Sequence, residues 1–248
     1  MIRLICSLLL LLIAYVVFAA PAPKGGWDRP IDPVDDCKII SKKGTVTIEL
    51  PGTYHDLSPK RNRFNAPRLL RDVEGDFVMQ VRVCGSFRPS AKSSVEGKSP
   101  RVAAGLVLIA PDKDYIRLEY ESYRYMEELR RKGNGGEKVE RRKGDLRNGP
   151  AFKMLGTQNV QGELEPPWKQ DHQAKEEQIY LRFERQGNVF RQAISPDGKA
   201  WTTFASSEGF LNLPRTLKVG LAAYSTSTEP FKVRFDQFKL IRAKKKSK

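Results

Sequence analysis

The stretch Asp76-Phe77-Val78-Met79-Gln80-Val81-Arg82-Val83 carries the period that decides the fold. Phe77, Met79, Val81 and Val83 fall on one side of an extended chain, with Gln80 and Arg82 on the other. Successive side chains of a strand point to opposite faces, so apolar residues two apart mark a half-buried strand. The same period recurs outward in both directions. Val46, Ile48 and Leu50 alternate with Thr45, Thr47 and Glu49 upstream. Downstream, Ile179, Leu181 and Phe183 alternate with Tyr180, Arg182 and Glu184. Phe231, Val233 and Phe235 share one parity, but Phe238 and Leu240 take the other, so a β-bulge is expected near Asp236-Gln237. Residues 103–109 are apolar at both parities, as a central strand requires.

Turn signals separate these runs. They are Ala110-Pro111-Asp112-Lys113-Asp114, Gln186-Gly187-Asn188, Pro196-Asp197-Gly198-Lys199, and Asn134-Gly135-Gly136, which would close a long hairpin. No amphipathic helix of three turns stands out; at most Glu127 to Lys132 makes one helical turn, ended by Gly133. Ten or more short strands in one unit of this size predict an all-β sandwich of two stacked antiparallel sheets.

The chain opens Met1-Ile2-Arg3, runs apolar from Leu4 to Phe18 except at Ser7, and continues with small residues at Ala19, Ala20 and Ala22. A positive start, a short apolar stretch and a small-residue exit read as a secretory signal. The run falls short of the roughly 20 apolar residues of a membrane span, so no stable span is expected after processing. Cleavage after Ala19 would leave about 229 residues and remove Cys6. The expected organisation is a signal at 1–19, a Pro- and Gly-rich lead-in at 20–36 carrying Trp27, a sandwich at 37–242 and a basic tail at 243–248. Its destination is export: periplasm, cell surface or surrounding medium.

Forty-four Lys and Arg against 29 Asp and Glu give a net charge of +15. Export and the spread of basic residues over strands and loops argue against nucleic acid as the partner. Two clusters remain, Arg130-Arg131-Lys132 with Arg141-Arg142-Lys143, and the tail Lys244-Lys245-Lys246-Ser247-Lys248. They read as solvated surface or as contacts to an anionic cell-surface polymer. Cys37 and Cys84 survive processing, and an oxidising compartment permits one disulfide between them; spacing alone leaves the bridge open. His55 and His172 are the only histidines and there is no Cys-x-x-Cys, so no metal site is expected. No phosphate-cradling loop or dinucleotide fingerprint occurs, and no cofactor is expected.

Several blocks then fall in a recognisable order: His55-Asp56-Leu57-Ser58, Asn65-Ala66-Pro67-Arg68-Leu69-Leu70-Arg71, Val73-Glu74-Gly75-Asp76-Phe77 and Ala104-Gly105-Leu106-Val107-Leu108. They continue with Asp114-Tyr115-Ile116-Arg117-Leu118-Glu119, Tyr180-Leu181-Arg182-Phe183-Glu184-Arg185, Gly187-Asn188, Ser195-Pro196-Asp197-Gly198-Lys199-Ala200-Trp201, Lys218-Val219-Gly220-Leu221-Ala222-Ala223 and Phe235-Asp236-Gln237-Phe238. Over residues 37–242 this order resembles the concanavalin A-like family labelled "regulation of enolase protein 1-like", a domain of unknown function in exported bacterial proteins of planctomycete type. The resemblance implies a concanavalin A-like jelly-roll sandwich, related to modules that often bind glycans.

The candidate site is the row after Asp114. Ile116, Leu118 and Tyr120 suit the core, whereas Tyr115, Arg117, Glu119, Glu121, Tyr123 and Tyr125 face the other way. Aromatic faces beside charged groups are what sugar recognition uses, and Arg82, Tyr180, Arg182 and Glu184 are expected to extend the row from neighbouring strands. The competing reading is a solvated face held by cross-strand charge pairs.

Glu119 and Glu121 are also weak catalytic candidates. Two carboxyl groups flank the bond in glycoside hydrolysis, and residues two apart on a strand lie about 6.5–7 Å apart. The Glu-x-Asp-x-x-Glu pattern of sandwich-fold glucanases is absent, with Arg124 where the third acid would stand. His55-Asp56 form a candidate acid–base pair without a nucleophile, and Asp112 with Asp114 a candidate Ca²⁺ site against the ordinary reading of a capped turn. Asp197 is read as the cap of its hairpin, with Trp201 packed beneath. Non-catalytic carbohydrate recognition leads. A carbohydrate-active enzyme and an envelope structural or interaction protein stand as alternatives, and the oligomeric state stays open.

Overall fold

The computed structural model describes residues 26–58, 63–110, 115–133, 136–155, 162–164, 178–208 and 214–242. The backbone alone is described at 125–133, 136–155, 162–164 and 204–208. The signal, the Asp112–Asp114 turn and the basic tail lie outside the described residues.

The chain makes strands β1 (Lys38–Lys42), β2 (Thr45–Leu50), β3 (Leu57–Ser58), β4 (Arg63–Phe64), β5 (Arg68–Glu74), β6 (Phe77–Gly85), β7 (Arg101–Ile109) and β8 (Tyr115–Gly133). β9 (Gly136–Leu155), β10 (Gly162–Leu164), β11 (Gln178–Gln186), β12 (Val189–Ser195), β13 (Thr202–Glu208), β14 (Thr216–Ser225) and β15 (Phe231–Arg242) follow. Seven form one sheet in the order β1-β2-β15-β6-β11-β12-β13, and six the other in the order β10-β9-β8-β7-β14-β5. Every pairing is antiparallel. β5 pairs β14 in one layer while β6 pairs β15 in the other, so two consecutive strand pairs wrap around both sheets as in a jelly roll. Among the described residues there is no helix, and hence none long and apolar enough to cross a membrane.

The sequence period places the core. Val46, Ile48 and Leu50 from β2, Phe77, Met79, Val81 and Val83 from β6, and Leu181 and Phe183 from β11 are all buried between the sheets. They meet Ala104, Leu106, Leu108, Ile116, Leu118 and Tyr120 from the opposite layer. The expected bulge is present: the register of β15 on β6 slips between Asp236 and Lys239, and Gln237 takes a φ of 51°. The slip lets both Phe235 and Leu240 reach the core. The long hairpin also forms, with Gly133 opposite Gly136. The helical turn expected at Glu127 to Lys132 does not, because β8 continues through it in register with β9.

The outer face of the six-stranded sheet is low in the middle. Ala103 and Gly105 of β7 and Gly220 and Ala222 of β14 stand there, paired Gly105↔Ala222 and Gly105↔Glu119. A Cβ on Gly105 would collide with the Leu118 carbonyl. Onto this floor fold residues 51–58 and 63–67. His55 pairs with Ser225 through backbone bonds of 2.9 and 3.0 Å, continuing the sheet beside β14 where β5 ends. Leu57 and Ala66 become fully buried against Leu70, Ala103, Val107, Tyr115 and Tyr224. The lead-in closes the edge: Ile31 exchanges two 2.9 Å bonds with Arg68, and Trp27 packs on Phe238 with ring centroids 4.5 Å apart. An edge strand covered in this way is shielded from pairing with other chains.

Candidate functional site

Tyr115, Arg117 and Glu119 do share the outer side of β8, but they are enclosed, at 7, 3 and 0 % exposure. The cover is the β3–β4 hairpin and its flanks. Tyr115 Oη donates to the Leu57 carbonyl at 2.6 Å. Asp56 accepts from Arg117 Nη1 at 2.8 Å and, through the same oxygen, from the Leu57 amide at 2.9 Å. Arg117 Nε lies 3.4 Å from Glu119 Oε2. Arg101 pairs with Glu119 through Nη2 and with Glu121 through Nε at 2.7 Å. The result is a chain of alternating charge, Asp56–Arg117–Glu119–Arg101–Glu121. Three carboxylates enclose two guanidiniums, and Arg117 is stacked over Tyr224 at 4.4 Å.

Burial by itself would push both guanidiniums down. Glu119, helped by Asp56 at Arg117 and by Glu121 at Arg101, instead holds them above the ordinary arginine value. Burial raises the Tyr224 phenol far above its usual range and raises Tyr115 as well. Among the described residues, Glu119 presents no surface to a polysaccharide. This corrects the expectation of an open row, and with it the catalytic candidacy of Glu119; Glu121 keeps 17 % side-chain exposure but is held by Arg101. His55 and Asp56 do not form a pair either. Asp56 turns toward Arg117, whereas His55 turns toward Thr53, Asp36 and Cys37.

Arg82, Tyr180 and Arg182 belong to β6 and β11, so they stand on the outer face of the other sheet and cannot extend the β8 row. There they do come together. Tyr180 is opposite Arg82 and Arg182 opposite Gln80. Arg82 grips Asp236 with two bonds of 2.6 and 2.9 Å, which raises its own pKa. Arg182 donates to Gln80 Oε1 at 2.8 Å and lies 3.7 Å from the centre of the Trp201 ring. Trp201 is the residue that sequence reasoning assigned only to structure. Its position follows from the preceding turn. Asp197 Oδ1 accepts from the Lys199 and Ala200 amides at 2.8 and 3.0 Å and from Ser195 Oγ at 2.9 Å. Gly198, at φ 74°, lies flat on the Tyr180 ring, too close for any side chain. The turn thus covers Tyr180 and delivers Trp201 to Arg182. Trp201, Arg82 and Arg182 all retain part of their surface in solvent.

Cys37 and Cys84 are both free thiols. Cys84 sits on the outer side of the seven-stranded sheet, opposite Arg234, whereas Cys37 sits beside His55 at the covered edge of the other layer. Topology separates what spacing left open. Among the described residues, Asp36, Cys37 and His55 are the donor set able to hold a metal ion.

No family model matches the chain, and no curated protein matches it. Among solved structures it is similar to a functionally unknown protein from Saccharomyces cerevisiae, at 16 % identity over 84 % of this chain and 92 % of that one, with a TM-score of 0.46. It is similar to the metal-free form of lectin I-B4 from Griffonia simplicifolia, at 11 % identity over 84 % and 92 % of the two chains, with a TM-score of 0.47. It is also similar to the GH43 protein BlXynB from Bacillus licheniformis, at 16 % identity and a TM-score of 0.46; 86 % of this chain is covered but only 36 % of that one, so the chain spans about a third of its length.

Proposed function

We propose that this chain is an exported, non-catalytic recognition module that binds carbohydrate through the outer face of the seven-stranded sheet, and that it belongs with the enolase-regulation-like domains its sequence blocks resemble. The observation that carries the reading is the stack of Arg182 on Trp201 at 3.7 Å, beside Gln80 and the Arg82–Asp236 pair. An aromatic ring offers an apolar plane for sugar C–H groups. The guanidiniums and amide around it offer fixed donors and acceptors for hydroxyls, and a few fixed polar groups on an apolar surface are what set ligand orientation. Enclosure of Glu119 between two arginines supports the non-catalytic part. The N-terminal apolar run supports export.

The test is a glycan array with the mature protein, followed by titration of the best binder into wild type, Trp201→Ala and Arg182→Ala. The reading expects both variants to lose at least tenfold in affinity while Glu121→Gln binds normally. A folded protein silent across neutral and acidic glycans, or binding that ignores both substitutions, would refute it.

A further inference from the structure

The lead-in and the segment before β3 meet at three side chains that are far apart in sequence. His55 is 1 % exposed and fixed by its backbone pairing with Ser225. Its Nδ1 lies 3.2 Å from the Asn65 carbonyl, which has no proton to give, so Nδ1 is the donor. Nε2 then faces Asp36 Oδ1 at 3.2 Å and Cys37 Sγ at 3.7 Å, and Sγ lies 3.4 Å from the same Asp36 oxygen. Thr53 Oγ1, 2.9 Å from Nε2 and 3.0 Å from Asp36 Oδ2, has one proton for two acceptors. With that proton and the Cys37 thiol directed at Asp36, Nε2 still faces a carboxylate oxygen at 3.2 Å, a separation that a bound cation would bridge.

The three separations can be compared with the edges of a coordination tetrahedron. Zinc holds thiolate sulfur at about 2.3 Å, imidazole nitrogen at about 2.0–2.1 Å and carboxylate oxygen at about 2.0–2.2 Å. At tetrahedral angles those radii give edges of about 3.6 Å for S to N, 3.4 Å for N to O and 3.6 Å for S to O. The observed 3.7, 3.2 and 3.4 Å match to about 0.2 Å. The surroundings fit as well. A metal-bound histidine commonly donates its other nitrogen to a carbonyl, as His55 does to Asn65. Asp32 Oδ2 accepts the Cys37 amide at 2.7 Å and orders the turn, while its Oδ1 is buried without a hydrogen-bond partner.

We propose that Asp36, Cys37 and His55 form a zinc-type divalent metal site, with three protein ligands and a fourth position on the solvent side next to Thr53. The mixed thiolate, imidazole and carboxylate set selects Zn²⁺ or Co²⁺ over Ca²⁺ and Mg²⁺. Such an ion ties residues 36–37 to residue 55 and so pins the cover of the six-stranded sheet. The site is distinct from the Trp201 face and independent of the carbohydrate reading.

The test is titration of Zn²⁺ and Co²⁺ into tag-free full chain kept reduced with a non-thiol reductant, read by calorimetry and by absorption. The expected result is one ion per chain, with a sulfur-to-cobalt charge-transfer band in the near ultraviolet and tetrahedral ligand-field bands. Cys37→Ser should lose the charge-transfer band, and both Cys37→Ser and Asp36→Asn should bind on the order of 100-fold more weakly, at least the upper end of the loss seen for outer-shell partners. Asp36 is exposed, so Asp36→Asn is expected to fold. Cys84→Ser should bind as wild type. Absence of binding to the wild type, an octahedral cobalt spectrum without a thiolate band, or a band lost in Cys84→Ser instead would overturn the proposal.

Discussion

Replacing Arg117 with Met is the sharpest perturbation of the covered face. Methionine keeps much of the length of the arginine stem and its packing beside Tyr115 and Tyr224, but it removes the charge that Asp56 and Glu119 share at 2.8 and 3.4 Å. Glu119 retains Arg101, whereas Asp56 loses its guanidinium partner and keeps neutral donors such as the Leu57 amide and the Tyr54 hydroxyl. Breaking a buried ion pair by deleting one partner costs about 3–5 kcal/mol. Asp56 has 10 % side-chain exposure and keeps the Leu57 amide as a donor, which places the loss toward the lower end, about 3 kcal/mol. For a domain of this size, each kcal/mol moves Tm by roughly 2–4 °C, so Tm should fall by roughly 6–12 °C. Urea unfolding followed by near-ultraviolet circular dichroism measures the change. Adding Asp56→Asn should return part of the loss, because the carboxylate charge that Arg117 balanced is gone. A loss under about 1 kcal/mol for Arg117→Met, the range of exposed pairs, would mean that the charge row is solvated and that residues 51–58 and 63–67 do not seal it.

Other outcomes follow from the same geometry. Gly105→Ala drives a methyl into the Leu118 carbonyl between paired strands and should cost about 3 kcal/mol, at the top of the overpacking range, in urea unfolding. The Asp197 carboxyl is held below the usual aspartate value by the Lys199 and Ala200 amides and by Ser195. Its contribution should therefore be complete above the unfolded-state pKa and fade as pH falls through the folded one; a stability–pH curve with Asp197→Asn should lack that acid-side loss. Trp201→Ala should weaken glycan binding at least tenfold while moving the urea midpoint little, since Trp201 is only partly buried and outside both core clusters.

The inward half of the fold was legible because it obeys one rule. Phe77, Met79, Val81 and Val83 alternate with Val78, Gln80 and Arg82, and the structure buries each of the four. The bulge at Gln237 was legible for the same reason, as a break in that alternation. What alternation cannot say is which sheet a strand joins. Arg82 and Tyr115 have the same outward parity, yet the topology sends them to opposite sides of the molecule. Nor does it say what covers an outward face. Arg117 and Glu119 look solvated in a period-two pattern, and only long-range docking of residues 51–58 and 63–67 turns them inward. A usable signal was present at Ala103, Gly105, Gly220 and Ala222, whose small size on one parity leaves room for a third layer. The meeting of Cys37 and His55 was not legible because it is built across a turn and a bridge, without the short repeat that marks most zinc motifs.

Hydrogen exchange of the mature protein with and without its best-binding glycan tests the central claim most directly, because it reports which face is occupied. The account predicts slowed exchange at residues 178–184 and 195–202 on ligand binding, with residues 51–67 and 115–121 unchanged. Protection confined to 51–67 and 115–121 would contradict it and return the site to the Tyr115 row.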